Sequence, residues 1–323
     1  MTGKEMTSMH RRAVLVLIVR IMVLVSSLLA WPEMSAVAAP RLKIAATIFP
    51  LYDLVRNVAG PAVDVVLLLP PGASPHTFEP RPGTMRALTG STVLFAIGHG
   101  LDDWAVRLAQ GANVQQTRIV DQQITLRPAT HVHDEHRHAA TPPHTARRPS
   151  NGHAGMDPHY WLSIANAVHI VHTIAETLGT LDAAAREDYR QRMTAYVEQL
   201  HRLDGEIRRL LADLPRRQLA TFHAAFDYFA DAYALEVVTT FEPVPGQEPS
   251  PRHVEAFLKQ VRVHNLRTLF IEPQLPHTAL QSLARDLDVT LKELDPNGGS
   301  AGRDSYIAMM RFNAAQIAAA LRE

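Results

Sequence analysis

No cysteine occurs anywhere in the 323 residues. Disulfides are therefore excluded, and a lipid attached through a leader cysteine is not expected. Net charge is absent as well, with 32 basic residues balancing 32 acidic ones. A nucleic-acid binder needs a basic footprint, and this chain does not offer one. An apolar run long enough to approach a membrane span occurs near the start, from Ala13 to Ala30. It follows Lys4, Arg11 and Arg12 and precedes "MSAVAAP", the charged, apolar, small-residue order of a secretory signal. Arg20 interrupts the run, and Ala36-Val37-Ala38 fits a small-x-small cleavage pattern, so residues 1–38 are expected to be removed rather than kept as an anchor. Export without a lipid anchor predicts a free periplasmic protein. Removing four basic and two acidic residues with the signal leaves the rest close to neutral. Its length suggests two domains, at the usual ~100–200 residues each.

What is present is an α/β rhythm. "LKIAATIF", "VDVVLLL" and "STVLFAIG" read as buried strands, and "YDLVRNVAG" reads as a helix stopped by Gly60. Residues 127–158 are rich in Pro, His, Arg and Thr and poor in core formers, which predicts a flexible insertion. Order is expected again at "DPHYWLS", with Ser163 placed to cap "IANAVHIVHTIAETL". A helical stretch from about Asp182 to Ala212 has only Gly205 as a breaker and reads as a spine between two lobes. Beyond Pro215 the rhythm resumes with "RQLATF", "LEVVTTF", "RTLFIE" and "VTLKEL" as strands. Ser250 and Pro251 open a helix between them. The predicted organisation is a signal (1–38), an N-terminal α/β lobe (39–180), a spine helix (181–213) and a C-terminal α/β lobe (214–323). Each lobe is expected to carry a mainly parallel sheet flanked by helices.

In open α/β sheets ligands bind beyond the carboxyl ends of the strands. His76 follows "VVLLL" through "PPGASP", His223 follows "LATF" and Asp295 ends "TLKELD". His159 stands where the polar insertion rejoins the ordered chain. Three imidazoles and one carboxylate would close the coordination of a Zn²⁺ ion. His99 also follows a strand and could approach the metal, and Glu272 is a rival carboxylate. His169 and His172 read as partly buried structural residues, and His201, His253, His264 and His277 fall on polar helices or turns without an assigned role.

The motifs "GASPHTFEP", "DPHYWLS", "TFHAAFDYFADAYAL", "GQEPSP", "LFIEPQ" and "LDPNGG" stand in the order and at roughly the spacing of one family. The chain resembles the zinc-binding periplasmic component of an ABC zinc importer, a class with manganese-binding relatives. The resemblance runs from Leu42 to the C-terminus. It implies two α/β lobes joined by a long helix, with His76, His159 and His223 as metal ligands. A carboxylate at Asp295 can complete the shell, and Glu272 looks more like a lobe-packing or supporting residue. The segment "GHGLDDW" departs from the family, which usually has Glu where Asp102 stands.

Residues 131–153 hold His131, His133, His136, His138, His144 and His153. Zinc importers of this kind often carry such an insertion here, so it is read as a weak, multivalent zinc collector near the mouth. Unordered ligands lose entropy on binding, which argues against their forming the tight site. The expected function is capture of Zn²⁺ and delivery to a membrane permease by a monomer without catalysis. A manganese receptor of the same fold is the alternative. A secreted zinc hydrolase is the rival from another class, but the sequence has no His-Glu-x-x-His helix to support it.

Overall fold

The computed structural model describes residues 41–129, 155–276 and 278–323. The signal expected at 1–38 and the six insertion histidines lie outside the described residues. By their contacts, residues 41–323 form one unit.

Short apolar strands build the first sheet. β1 (Lys43–Ala46) pairs in parallel with β2 (Asp64–Leu67) on one side and β3 (Val93–Ala96) on the other. β4 (Gln116–Ile119) pairs in parallel on the outside of β3, giving the order β2-β1-β3-β4. β3 is buried at every position, as expected for a strand covered on both faces. β4 reads "QTRI" and escapes an apolar-run search because an edge strand needs little apolar surface. Helix α1 (Phe49–Ala59) starts with Pro50 in its first turn and ends at Gly60, whose φ of 73° favours glycine. Helices α2 (Pro82–Leu88) and α3 (Asp103–Gly111) complete the crossovers around this sheet.

Helix α4 (Ile164–Leu181) has Ser163 at its N-cap position, but the hydroxyl makes no capping hydrogen bond. The expected spine is helix α5 (Arg186–Leu210), preceded by a 3-10 turn at Ala183–Ala185 that Asp182 caps. Its 25 residues span about 38 Å at ~1.5 Å per residue. Tyr189, Tyr196, Leu200, Leu203 and Ile207 form its buried stripe, at spacings that keep them on one face.

The second lobe holds β5 (Gln218–His223), paired in parallel with β6 (Glu236–Glu242), and β7 (Thr268–Ile271), paired in parallel with β8 (Thr290–Glu293). β5 runs beside β7. Helix α6 (Asp227–Ala232) follows β5, and α7 (Pro251–Val263) and α8 (Thr278–Leu287) are the crossovers of this lobe. Ser250 caps α7 as expected, accepting from the His253 amide.

The last helix, α9 (Tyr306–Arg322), packs on α1 and α5 of the first half while also touching β8 of the second. One continuous core therefore runs from the first sheet through α4, α5 and α9 to Phe226 and Phe229. A smaller core, with Phe222, Phe241, Phe257 and Leu269, packs around the two two-stranded sheets of the second half, β5-β6 and β7-β8. The spine is covered by packing and is not a free-standing lever.

Candidate metal centre

Strands of the two halves bring their carboxyl ends towards one place. β2 leads through the turn "PPGASP" to His76, which is partly exposed. β5 ends on His223, which is buried, and His159 begins the 3-10 turn Tyr160–Leu162 and is buried as well. His159 Nε2 lies 3.2 Å from His76 Nε2 and 3.2 Å from His223 Nε2. Ligand atoms of the three residues all fall within 4.8 Å of one another, and no other metal-ligating side chain among the described residues joins them. Zn–N bonds of ~2.0–2.1 Å at tetrahedral angles place two nitrogens about 3.3–3.4 Å apart, close to the observed spacing.

Two rings are held in place from behind. Asp157 Oδ1 accepts from the His159 backbone amide at 2.9 Å and pairs with its Nδ1 at 2.8 Å. Glu272 Oε1 sits 2.5 Å from His223 Nδ1 and accepts from the His223 amide at 3.3 Å. A carboxylate on Nδ1 places the ring proton there and leaves the Nε2 lone pair for a cation. Trp161 packs beside the His159 ring at 5.3 Å and donates its Nε1–H to the Pro296 carbonyl.

A cation among the three rings would take up the Nε2 lone pairs that the two carboxylates leave free. The electrostatics are graded around the triad. Burial, and then the neighbouring imidazoles, hold His76 and His159 well below the ordinary histidine range. Burial would also lower His223, but the charge and hydrogen bond of Glu272, with Asp157 and Glu242 beyond, outweigh it and raise that ring. In the metal-free protein the proton therefore resides preferentially on His223.

Asp295, the carboxylate expected to complete the shell, is not among the side chains whose ligand atoms converge with the three rings. Its Oδ1 accepts from Gln274 Nε2 at 2.6 Å, the Asn297 amide at 3.0 Å and the Gly298 amide at 2.8 Å. Its Oδ2 lies 3.3 Å from Arg303 Nη1. A carboxylate at the end of β8 organises the following turn. His99 is not at the site either: its Nε2 lies 3.1 Å from Asp121 Oδ2, and its ring meets Tyr160. Asp102 is buried and accepts from Thr47 and from the Ile97 and Gly98 amides, so it locks the turn after β3. Sequence reasoning missed Asp157 as an orienting group. The signal available for it was "DPH", an Asp two residues before a candidate ligand, where Asp commonly folds back on the backbone.

The insertion leaves and returns beside this site. Pro128 and Met156 form an antiparallel bridge, with the Ala129 amide donating to Gly155 and the Asp157 amide to Arg127. Ala129, Asp157 and all three histidines line one cavity of about 180 Å³, with Pro243, Val244 and Pro245 on its other wall. The stems of the expected 127–158 insertion are thus ordered parts of the rim.

The family described as zinc-uptake complex component A, periplasmic, matches residues 44–320. The zinc-binding protein AdcA of Streptococcus pyogenes serotype M3 is 26% identical over 308 residues, covering 92% of this chain and 60% of that protein. The chain thus spans about 60% of the length of that relative. The manganese ABC transporter substrate-binding lipoprotein PsaA of Streptococcus pneumoniae is 26% identical over 295 residues, covering 88% and 91% of the two chains. A crystal structure of ZnuA superposes with a TM-score of 0.74 at 28% identity, over 87% of this chain and 99% of that one.

Proposed function

This chain belongs to the periplasmic zinc-uptake complex component A family, and on that premise we propose that it is a Zn²⁺ receptor of an ABC importer. It takes up the ion outside the cytoplasmic membrane, carries it between its two halves and hands it to a membrane permease, with no catalytic step. His76, His159 and His223 supply the ligand atoms, and Asp157 and Glu272 orient two of them. The observation that carries the reading is the convergence of three Nε2 atoms, with His159 3.2 Å from both partners.

The choice of zinc over manganese rests on the donor set. Manganese favours oxygen ligands, whereas imidazole suits zinc. Here the two nearest carboxylates are engaged with ring Nδ1 atoms, and Asp295 is engaged with its own turn. The manganese-named relative keeps the alternative concrete, and competition between Zn²⁺ and Mn²⁺ for the purified protein tests it. A preference for Mn²⁺ would overturn the zinc assignment while leaving the receptor reading in place.

The histidine-rich insertion is read as a weak collector that raises local zinc at the rim. Support comes from its stems, Ala129 and Asp157, which line the same cavity as the three ligands.

A further inference from the structure

The stems of the insertion run antiparallel, and the Pro128–Met156 bridge sets Arg127 opposite Asp157. Opposed residues of a hydrogen-bonded antiparallel pair exchange two bonds, each amide donating to the other's carbonyl. One of the two is made here, from the Asp157 amide to the Arg127 carbonyl at 2.9 Å. The other is replaced by a side-chain hydroxyl. Tyr228 Oη accepts from the Arg127 amide at 2.8 Å and donates to the Asp157 carbonyl at 3.3 Å. A phenol can do both at once.

This wedge comes from the other half of the molecule. Tyr228 stands on α6, the helix that follows β5 and His223, and it is buried. The Arg127 guanidinium lies over its ring, 5.8 Å from the centroid, and reaches the Asp227 carbonyl at 3.4 Å and the Asp231 carboxylate. On the stem side, Asp157 is the residue that points His159, through the His159 amide at 2.9 Å and Nδ1 at 2.8 Å.

We propose that Tyr228 is a positioning residue of the metal centre: its hydroxyl, wedged into the stem ladder, sets the angle at which Asp157 presents His159 to the ion. The inference rests on the receptor reading above. One side chain thereby ties the ligand His159 to the helix that continues from the ligand His223, and keeps the two rings in register. Without the hydroxyl, the Arg127 amide and the Asp157 carbonyl have each other to bond. The stem would close on itself, no buried backbone group would be orphaned, and the Asp157 carboxylate would move off its present line to the His159 ring. Removing the oxygen therefore changes position more than stability.

The test compares Tyr228→Phe, which keeps the ring under Arg127, with Tyr233→Phe. The control removes a hydroxyl that bonds Asp204 on α5 and touches neither stem. Three quantities are read: zinc affinity by chelator competition, zinc dissociation by stopped flow into excess chelator, and the His159 Nδ1–H resonance. The resonance is followed in metal-free, ¹⁵N-histidine-labelled protein and assigned by its loss in His159→Ala. Tyr228→Phe should fold, release zinc about tenfold faster and bind it about tenfold more weakly, the lower end of the loss for an outer partner of a metal ligand. It should also shift the His159 resonance, which a merely structural role would leave unmoved. Tyr233→Phe should leave all three readings at wild-type values, whatever it does to the melting temperature. Wild-type zinc release with an unmoved His159 resonance in Tyr228→Phe would overturn the proposal, as would equal zinc effects in the two variants. A Tyr228→Phe protein that does not fold would also count against it, because the ladder is expected to close. Failure of the wild type to bind zinc tightly would instead overturn the receptor reading itself.

Discussion

Exchanging Glu272 for Gln isolates what the carboxylate does, because shape and volume are nearly conserved. In the native protein Glu272 Oε1 is 2.5 Å from His223 Nδ1, and both residues are buried. The change leaves an oxygen that can accept from Nδ1–H but removes its negative charge, and a hydrogen bond to a charged group is worth about 1.5–3 kcal/mol. For an outer partner of a metal ligand that corresponds to about a 10- to 100-fold loss of zinc affinity. The pH dependence gives a second, independent reading. Glu272 is the leading cause that raises the His223 pKa, while burial holds the other two rings low. As pH falls from 8 to 5, zinc should therefore compete chiefly with one proton, on His223, and not with three. The apparent affinity should drop about tenfold per pH unit below the raised His223 value. In Glu272→Gln this step should move to lower pH. The sign for the metal-free protein follows from linkage. A histidine raised above ~6.5 adds stability that is fully present below that value and lost as pH rises through the folded-state pKa. Thermal unfolding of the metal-free variant should thus show a larger loss, relative to wild type, at pH 5.5 than at pH 8.5. Chelator-competition titrations of both proteins across pH, with parallel melts, are the assay. Unchanged affinity in Glu272→Gln, or a three-proton slope in the wild type, would refute the reasoning.

Three further outcomes follow from the geometry. His159→Ala removes the ring that lies 3.2 Å from both others, and zinc titration should show a loss well beyond tenfold, about 1.4 kcal/mol. Removing residues 131–153 should keep the tight equivalent and abolish weaker ones seen by calorimetry, because the Ala129 amide already bonds the Gly155 carbonyl and a short link can close there. Gly246→Ala should destabilise the protein by about 1 kcal/mol or more in chemical denaturation, because φ is +79° and a Cβ would overlap the Thr77 methyl beside His76.

The parts legible in the sequence are those set by local pattern. His76 and His223 could be found because each follows an apolar run that became a strand, and a ligand at a strand's carboxyl end is a fold-level expectation. The long helix was legible from its length without breakers. Asp295 is not decided by sequence, because a carboxylate after a strand carries the same signal whether it faces a ligand or ties down its own turn. Only the amides of Asn297 and Gly298, with Gln274 and Arg303, decide between the two, and they meet Asp295 through the folded loop. Glu272 was seen as a carboxylate, but its bond to His223 joins residues 49 positions apart and leaves no local trace. The return of α9 onto α1 and α5 is likewise a tertiary fact, since its apolar face would suit either lobe.

Metal analysis of the protein purified without added metal, followed by zinc and manganese competition against a chelator of known affinity, bears most directly on the central claim. The account predicts one tight Zn²⁺ per chain, weaker Mn²⁺, and loss of the tight equivalent when His76, His159 and His223 are all replaced by Ala. Retention of tight zinc by that triple variant would contradict it.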